Sequence, residues 1–99
     1  MFIILLRYKK DISEVDIYLS AHREFLKKYF ENGVFLMSGR KNPRDGGVII
    51  ALGNKRDEIV RIIENDPFYI NHIAEYDIVE FIPTMFSPEM KNICDKVRT

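Results

Sequence analysis

His22 is the side chain best suited to acid–base chemistry. It lies in the segment AHREFLKKYF, among apolar residues that recur at helical spacing, so it is expected in the middle of a buried stripe. An imidazole in that position can both donate and accept a proton near neutral pH, which makes His22 a candidate general acid or base. The alternative is a structural histidine whose ring nitrogens hydrogen-bond to backbone or water.

Asp66 is the candidate carboxylate partner of that imidazole. It follows Ile63 and Ile62 by three and four residues, which places it on the apolar side of a predicted second helix if that helix extends so far. The alternative is architectural, because Asp followed by Pro67 is an ordinary start for a helical turn, with the Asp as cap. The two predicted helices also run roughly parallel, so His22 and Asp66 need not meet.

Ser38, Gly39 and Arg40 close a predicted strand and are the candidate substrate-binding residues. The serine hydroxyl can hydrogen-bond a bound group, the glycine can admit a ligand close to the backbone, and Arg40 or Arg44 can neutralise a carboxylate. Gly39 also fits a purely architectural role, such as a bulge at the end of the strand.

The sequence indicates neither a metal site nor a nucleotide cofactor. His22 and His72 are fifty residues apart, and no H-x-x-x-H pattern, Walker A loop or GxGxxG loop occurs. His72 falls in a connector and is expected to be exposed. Any activity is therefore predicted to be independent of a cofactor.

Composition describes one soluble domain. The 99 residues are 46% apolar and 30% charged, enough for a single core. Fifteen Lys and Arg balance fifteen Asp and Glu, which gives no strong field to hold nucleic acid or an anionic membrane. The lone Cys94 fits a reducing compartment. The apolar run Phe2–Leu6 is shorter than the roughly 7–15 apolar residues of a signal peptide, so a cytoplasmic location is predicted.

Hydrophobic patterning predicts the elements that must position these residues. A strand is expected where a short apolar run is bounded by turn residues, and a helix where apolar residues recur at helical spacing. The predicted strands are Phe2–Tyr8, Val34–Arg40, Gly47–Leu52 and about Glu75–Ile82, and the predicted helices run from a start between Ser13 and Ser20 to Asn32–Gly33 and from about Lys55 to Asn65. This βαββαβ order is the ferredoxin-like arrangement, an α+β fold with a four-stranded antiparallel sheet and two helices on one face.

The sequence also predicts where the first helix ends, where a hairpin turn lies and which side of the first helix faces inward. Gly33 is expected to end the first helix in the left-handed conformation, and Asp45–Gly46 to form a hairpin turn that tolerates positive φ. The inward side of the first helix is predicted to carry Tyr18, His22, Phe25, Leu26, Tyr29 and Phe30, while Arg23, Glu24, Lys27, Lys28 and Glu31 point away.

The predicted sheet has one face that the helices cannot cover. Right-handed crossovers make the first and third strands the central pair, and these strands are the continuous apolar runs of the chain. Alternate side chains of Phe2–Leu6 and Val48–Leu52 would then form an apolar patch too large to leave in water. We therefore predict a homodimer in which two sheets pack face to face.

Residues 85–99 are predicted to form an extension beyond the domain at residues 1–84. Ser87-Pro88-Glu89 has the form of a helix start, with a cap, a proline and an acidic residue near the positive helix end. Four side chains follow at helical spacing, namely Met90, Ile93, Cys94 and Val97. A short amphipathic helix docked on its own or the partner subunit is expected.

Several short motifs together resemble the YciI-like (YCII-related) family over nearly the whole span from Phe2 to Thr84. They are AHREFL, ENGVFLMSG, PRDGGVII, NDPF and AEYDIVEFIPT, in that order. The resemblance implies a ferredoxin-like protomer in a dimeric α/β barrel with a pocket between sheet and helices. It also implies that His22 and Asp66 correspond to the two residues proposed for the family's active site.

The chain departs from the family pattern at two positions. Arg40 stands where a proline usually follows Ser-Gly, which bears on the charge preference of the pocket, and Ser20 replaces a frequent proline before Ala-His. The few members linked to a reaction look like lyases or dehydrochlorinases acting on breakdown products of aromatic rings.

Three functional hypotheses follow. The first is an enzyme of lyase, dehydrochlorinase or isomerase type, in which His22 moves a proton on a small anionic or aromatic molecule, Asp66 orients the imidazole, and Ser38 with Arg40 holds the substrate. The second is a dimeric ligand-binding or regulatory module without catalysis. An RNA-binding domain of the same topology is the third, but the open sheet face offers aliphatic side chains on which bases cannot stack.

Overall fold

The protein folds as a four-stranded antiparallel sheet with helices on one face. The computed structural model describes residues 1–53 and 55–96. Its strands are β1 (Phe2–Tyr8), β2 (Phe35–Arg40), β3 (Gly46–Ala51) and β4 (Ala74–Glu80), and its helices are α1 (Ile12–Glu31), α2 (Arg56–Ile63), α3 (Pro67–Ile70) and α4 (Lys91–Asp95). The sheet order is β2-β3-β1-β4. The ferredoxin-like prediction is confirmed, with β1 and β3 in the centre as expected.

The core lies between the sheet and the helices. One side of β1 places Phe2, Ile4 and Leu6 in this layer, and all three are buried. The helices cover them with apolar side chains, among them Val15 of α1 and Ile59 of α2. The alternation along β1 is therefore that of a strand with one fully buried face.

The opposite face of the sheet is apolar and only partly covered within one chain. Ile3 and Leu5 of β1 point to this side and are half-buried. Their neighbours Met37 and Val79 are 59% and 42% exposed. The continuous apolar pattern of β1 thus places aliphatic side chains on a face of the sheet that stays partly exposed among the described residues.

Helix α1 begins earlier than the sequence analysis predicts. Its first residue is Ile12 and its N-cap is Asp11, whose backbone carbonyl accepts hydrogen bonds from the amides of Glu14 and Val15 at 2.9 and 3.0 Å. The start between Ser13 and Ser20 is therefore wrong. Burial of the Val15 side chain, which is 0% exposed, favours a helical first turn where serine capping had been expected.

The two glycines predicted to need positive φ behave differently. Gly33 ends α1 with a φ of 83°, as predicted. Gly46 does not have a positive φ, so the turn argument made for it is wrong. Gly46 instead pairs with Arg7 across the sheet, and a Cβ built on it would overlap the backbone carbonyl of Leu6. The residue is required because two strands approach closely there.

The C-terminal extension contains the expected short helix. A 3-10 turn at Pro88–Met90 leads into α4, and Cys94 is buried on it. Val97, which was predicted to continue the apolar stripe, lies outside the described residues. Over residues 1–53 and 55–96, the helices are too short or too polar to cross a membrane.

Candidate active site

His22 and Asp66 are in direct contact. The distance from His22 Nδ1 to Asp66 Oδ1 is 2.8 Å. Asp66 is 0% exposed and His22 is 8% exposed, so the pair is buried. Because α1 begins at Ile12, His22 lies near the middle of this helix, where α3 packs against it. The sequence had left open whether a residue early in the first helix could meet one at the end of the second. Because α1 starts early, His22 is not near its beginning, and the two residues do meet.

Asp66 has both of the roles that the sequence analysis treated as alternatives. It is the N-cap of α3, with Oδ1 accepting a hydrogen bond from the Phe68 amide at 3.0 Å and Pro67 in the first helical turn. The same oxygen contacts His22. Capping therefore holds the carboxylate at a fixed position beside the imidazole.

Tyr76 of β4 binds the other oxygen of the same carboxylate. Its hydroxyl donates a hydrogen bond to Asp66 Oδ2. Burial, and secondarily the negative charge of Asp66, raise the pKa of Tyr76 well above its ordinary value, so the phenol remains a proton donor. Sequence reasoning missed Tyr76. The signal was the alternation of β4, which pairs Tyr76 with the buried Leu6 and so points it toward the helices.

Phe68 fixes the plane of the imidazole. The Phe68 and His22 rings are stacked, with centroids 4.0 Å apart and planes 4° from parallel. Phe25, one turn further along α1, has its ring centroid 6.4 Å from that of His22. The imidazole is therefore held by a hydrogen bond at one edge and by aromatic packing on its face.

These contacts determine which nitrogen of His22 is available for chemistry. Asp66 accepts hydrogen bonds from an amide and a phenol, as an ionised carboxylate does, so its third partner, Nδ1, must be a donor. Nε2 has no hydrogen-bond partner among the described residues, and every buried side-chain nitrogen and oxygen in that part of the chain has one. Nε2 is thus accessible, and in the neutral ring it carries the free lone pair.

His22 opens into a cavity of about 420 Å³ between α1 and the β2–β3 hairpin. This volume falls in the range of roughly 300–1,000 Å³ that is usual for small-molecule sites. The cavity is lined by Leu6, Tyr8, Leu19, His22, Arg23, Leu26, Ser38, Gly39, Arg40, Gly47, Val48, Ile49 and Phe68. Ser38, Gly39 and Arg40 therefore share one cavity with His22, while Asp66 lies behind the imidazole.

The strand register explains why Ser38 and Arg40 line this cavity. Ser38 is paired with the buried Ile49, and Arg40 with Gly47, whose own partner on β1 is the buried Leu6. Residues two apart on a strand point to the same face, so both side chains lie on the helix-covered side of the sheet.

Three other residues differ in their relation to the cavity. Arg44 does not line it and instead donates to Asp16 Oδ1 at 2.6 Å, which raises the pKa of its guanidinium. His72 is exposed, as predicted, with a φ of 56°. Arg23 is exposed, as predicted, and it also lines the cavity. Its position four residues after Leu19 places it at the edge of the inward stripe, from which its long side chain reaches the cavity.

The titratable side chains do not assemble into a metal site. No three His, Cys, Asp or Glu side chains in residues 1–53 and 55–96 are grouped so that they could hold a metal ion. The arrangement that the structure does contain is a single imidazole with a carboxylate behind it.

Comparison with known proteins agrees with the fold. The sequence model of the YCII-related domain family matches residues 1–82. A solved structure similar to this chain is that of 5-chloro-2-hydroxyhydroquinone dehydrochlorinase from Burkholderia phenoliruptrix, in complex with 2,5-dihydroxybenzoquinone. The TM-score is 0.66 at 19% sequence identity, over 82% of this chain and 93% of that chain. No curated protein sequence matches the chain.

Proposed function

We propose that this chain, which belongs to the YCII-related domain family, is an acid–base enzyme in which His22 transfers a proton on a small anionic or aromatic molecule. The observation that carries the proposal is the geometry of His22. Its Nδ1 is bound to a buried carboxylate, its Nε2 has no partner among the described residues, and the residue lines a cavity of ligand size. A histidine with only a structural role would have no need of an accessible second nitrogen.

The reaction would use the imidazole first as a base. Nε2 takes a proton from a carbon or hydroxyl of the substrate, and the resulting imidazolium is stabilised by the negative charge of Asp66 at 2.8 Å. Nε2 then returns the proton to a different atom, which is an isomerisation, or loses it to solvent after a leaving group has departed, which is an elimination. Asp66 orients the ring through its contact with Nδ1.

Ser38, Gly39 and Arg40 would bind the substrate beside this imidazole. The Arg40 guanidinium neutralises a negative group, and the Ser38 hydroxyl donates to a substrate oxygen. Apart from Gly39 and its two chain neighbours, no described residue has a heavy atom within 4 Å of the place where a Cβ on Gly39 would stand, so a ligand can approach the backbone there. No step of this scheme draws on a cofactor.

An elimination agrees with the reaction named for the similar structure. That protein is a dehydrochlorinase, and it was solved with a dihydroxybenzoquinone, a flat ring with polar substituents. Apolar walls with a few polar groups, as in the His22 cavity, suit a ligand of this kind. We therefore choose a chlorinated hydroxyhydroquinone as the first substrate to test.

A second copy of the chain would cover the apolar face of the sheet. Met37, Ile50 and Val79 form a surface that α1 and α2 do not reach, and exposed aliphatic surface of this extent is stabilised by association. We propose a homodimer with the two sheets face to face and the His22 cavity of each protomer on the opposite, helix-covered side.

The test is the release of chloride from 5-chloro-2-hydroxyhydroquinone by the wild type and by His22→Asn. The wild type should release chloride faster than buffer, and the variant should lose at least about 100-fold of that rate, the lower limit for a general acid–base group. His72→Asn is the matched control, because this exposed histidine has a positive φ that Asn tolerates.

An unchanged rate in His22→Asn would refute the proposal. A wild type that binds the compound but releases no chloride would favour the non-catalytic binding module. Circular dichroism and gel filtration of both variants establish that any loss of rate is not a loss of folding.

A further inference from the structure

Two arginines line the His22 cavity and form no ion pair with any other described residue. Arg23 reaches it from α1 and Arg40 from the end of β2. Among the described residues neither arginine forms an ion pair, whereas Arg7, Arg44 and Lys91 are paired with Glu75, Asp16 and Asp95. The positive charge at the cavity is therefore left uncompensated by the neighbouring side chains.

Within the described part of the chain, no carboxylate side chain lines this cavity. The residues that line it include neither Asp nor Glu, and both oxygens of Asp66 already accept hydrogen bonds behind His22. Both arginines are exposed and keep their hydration, but two cations directed at one site repel each other unless an anion joins them. The site is thus electrostatically complementary to a negatively charged ligand.

The other residues that line the cavity indicate what kind of uncharged group the ligand carries. Leu19 and Leu26 of α1, Val48 of β3 and the Phe68 ring present aliphatic and aromatic surface. A planar apolar ring fits such walls, and a planar carboxylate accepts two parallel hydrogen bonds from one guanidinium fork and further hydrogen bonds from a second guanidinium. The hydroxyl of Ser38 adds one more donor.

We propose that Arg23 and Arg40 together bind the carboxylate of an aryl carboxylate substrate, and that Arg23 is a specificity-determining residue. This inference rests on the proposed function in taking the His22 cavity as the substrate site. It goes further in naming the chemical class of the substrate and in adding an arginine from the helix. The substrate ring lies against Leu26 and Val48, within reach of His22.

The experiment compares the binding of benzoate with that of its neutral analogue benzamide. Both probes are titrated into ¹⁵N-labelled protein, and the amide shifts of Gly39 and Gly47, which line the cavity, are followed by NMR. Wild type should bind benzoate about tenfold more tightly than benzamide, the lower limit for hydrogen bonds to charged groups. Arg23→Ala and Arg40→Ala should each remove most of that preference and leave benzamide binding unchanged.

Lys10→Ala is the matched control. It removes one positive charge from an exposed residue that does not line the cavity, so benzoate should bind it as it binds the wild type. Equal affinity for benzoate and benzamide in the wild type would overturn the proposal, as would undiminished benzoate binding by Arg23→Ala. Phenyl phosphate binding tenfold more tightly than benzoate would overturn the assignment to carboxylates.

The readout is binding, so its outcome is separate from that of the proposed function. If the protein has no catalytic activity but prefers benzoate, the role of Arg23 and Arg40 is supported and the proposed enzymatic function is refuted. If the protein is active but binds benzoate and benzamide equally well, the proposed function of His22 is supported and the role of Arg23 and Arg40 is refuted.

Discussion

Replacing Tyr76 by Phe should destabilise the fold by about 2 kcal/mol at pH 8. The substitution keeps the ring and removes only the hydroxyl that donates to Asp66 Oδ2. Asp66 is 0% exposed, so water cannot take the place of that donor without a structural change. A buried acceptor left without a partner costs about 1–3 kcal/mol, and more when it is charged.

The size of this effect should fall at alkaline pH. Unfolded tyrosine ionises near pH 10, whereas burial and Asp66 raise the pKa of Tyr76 in the folded protein above that value. Above pH 10 the unfolded chain therefore loses a proton that the folded protein keeps. Wild-type stability then decreases by about 1.4 kcal/mol per pH unit through this group alone. The Phe variant lacks the group, so the difference should narrow to about 0.6 kcal/mol at pH 11.

Urea denaturation followed by circular dichroism measures this difference at pH 8 and pH 11. Tyr69→Phe is the control, because Tyr69 is 43% exposed and its ring also contacts that of Tyr76. It should stay within about 0.5 kcal/mol of the wild type at pH 8. A Tyr76→Phe variant as stable as the wild type, or a difference that is the same at both pH values, would refute this account of Asp66.

Two further predictions concern the architecture. Gly46→Ala should lower the free energy of unfolding, measured in urea, by about 3 kcal/mol, because the new methyl overlaps a backbone carbonyl. Gly39→Ala, which has open space at its Cβ, should change the free energy of unfolding by less than about 0.5 kcal/mol. Equal effects of the two substitutions would contradict the argument that two strands approach closely at Gly46. In light scattering at micromolar concentration, the wild type should have twice the 11.7 kDa mass of one chain. Ile50→Glu on the open sheet face should be monomeric, whereas the control Val60→Glu on α2 should stay dimeric. A monomeric wild type would refute the proposed dimer.

The fold was largely predictable because its signals are local. Unbroken apolar runs marked β1 and β3 as the central strands, and helical spacing placed His22 on the inward side of α1. The start of α1 was not predictable from capping residues, because burial of Val15 stabilises the first turn and needs no side-chain cap. Tertiary packing outweighs a local preference of this size.

The types of residue in the candidate site were predictable from the sequence, but the contacts between these residues were predictable only in part. His22 and Asp66 were singled out because imidazole and carboxylate groups are rare on apolar faces, and the Ser38–Arg40 segment because it closes a strand. The hydrogen bond from Tyr76 to Asp66 joins β4 to the turn before α3, and that proximity depends on sheet register. Arg23 was missed as a cavity residue because it is exposed, as its charge indicates, and long side chains at the edge of an apolar stripe can nevertheless reach a cavity.

The most direct test of the central claim is the tautomer of His22. A long-range ¹H–¹⁵N NMR spectrum, recorded at a pH where the ring is neutral, distinguishes protonated from unprotonated ring nitrogens, and the exposed His72 is the internal reference. We expect His22 to carry its proton on Nδ1, with Nε2 unprotonated, and Asp66→Ala, which removes the acceptor, to abolish this preference. A His22 ring protonated on Nε2 in the wild type would contradict the account, because the nitrogen facing the cavity would then have no lone pair with which to accept a proton.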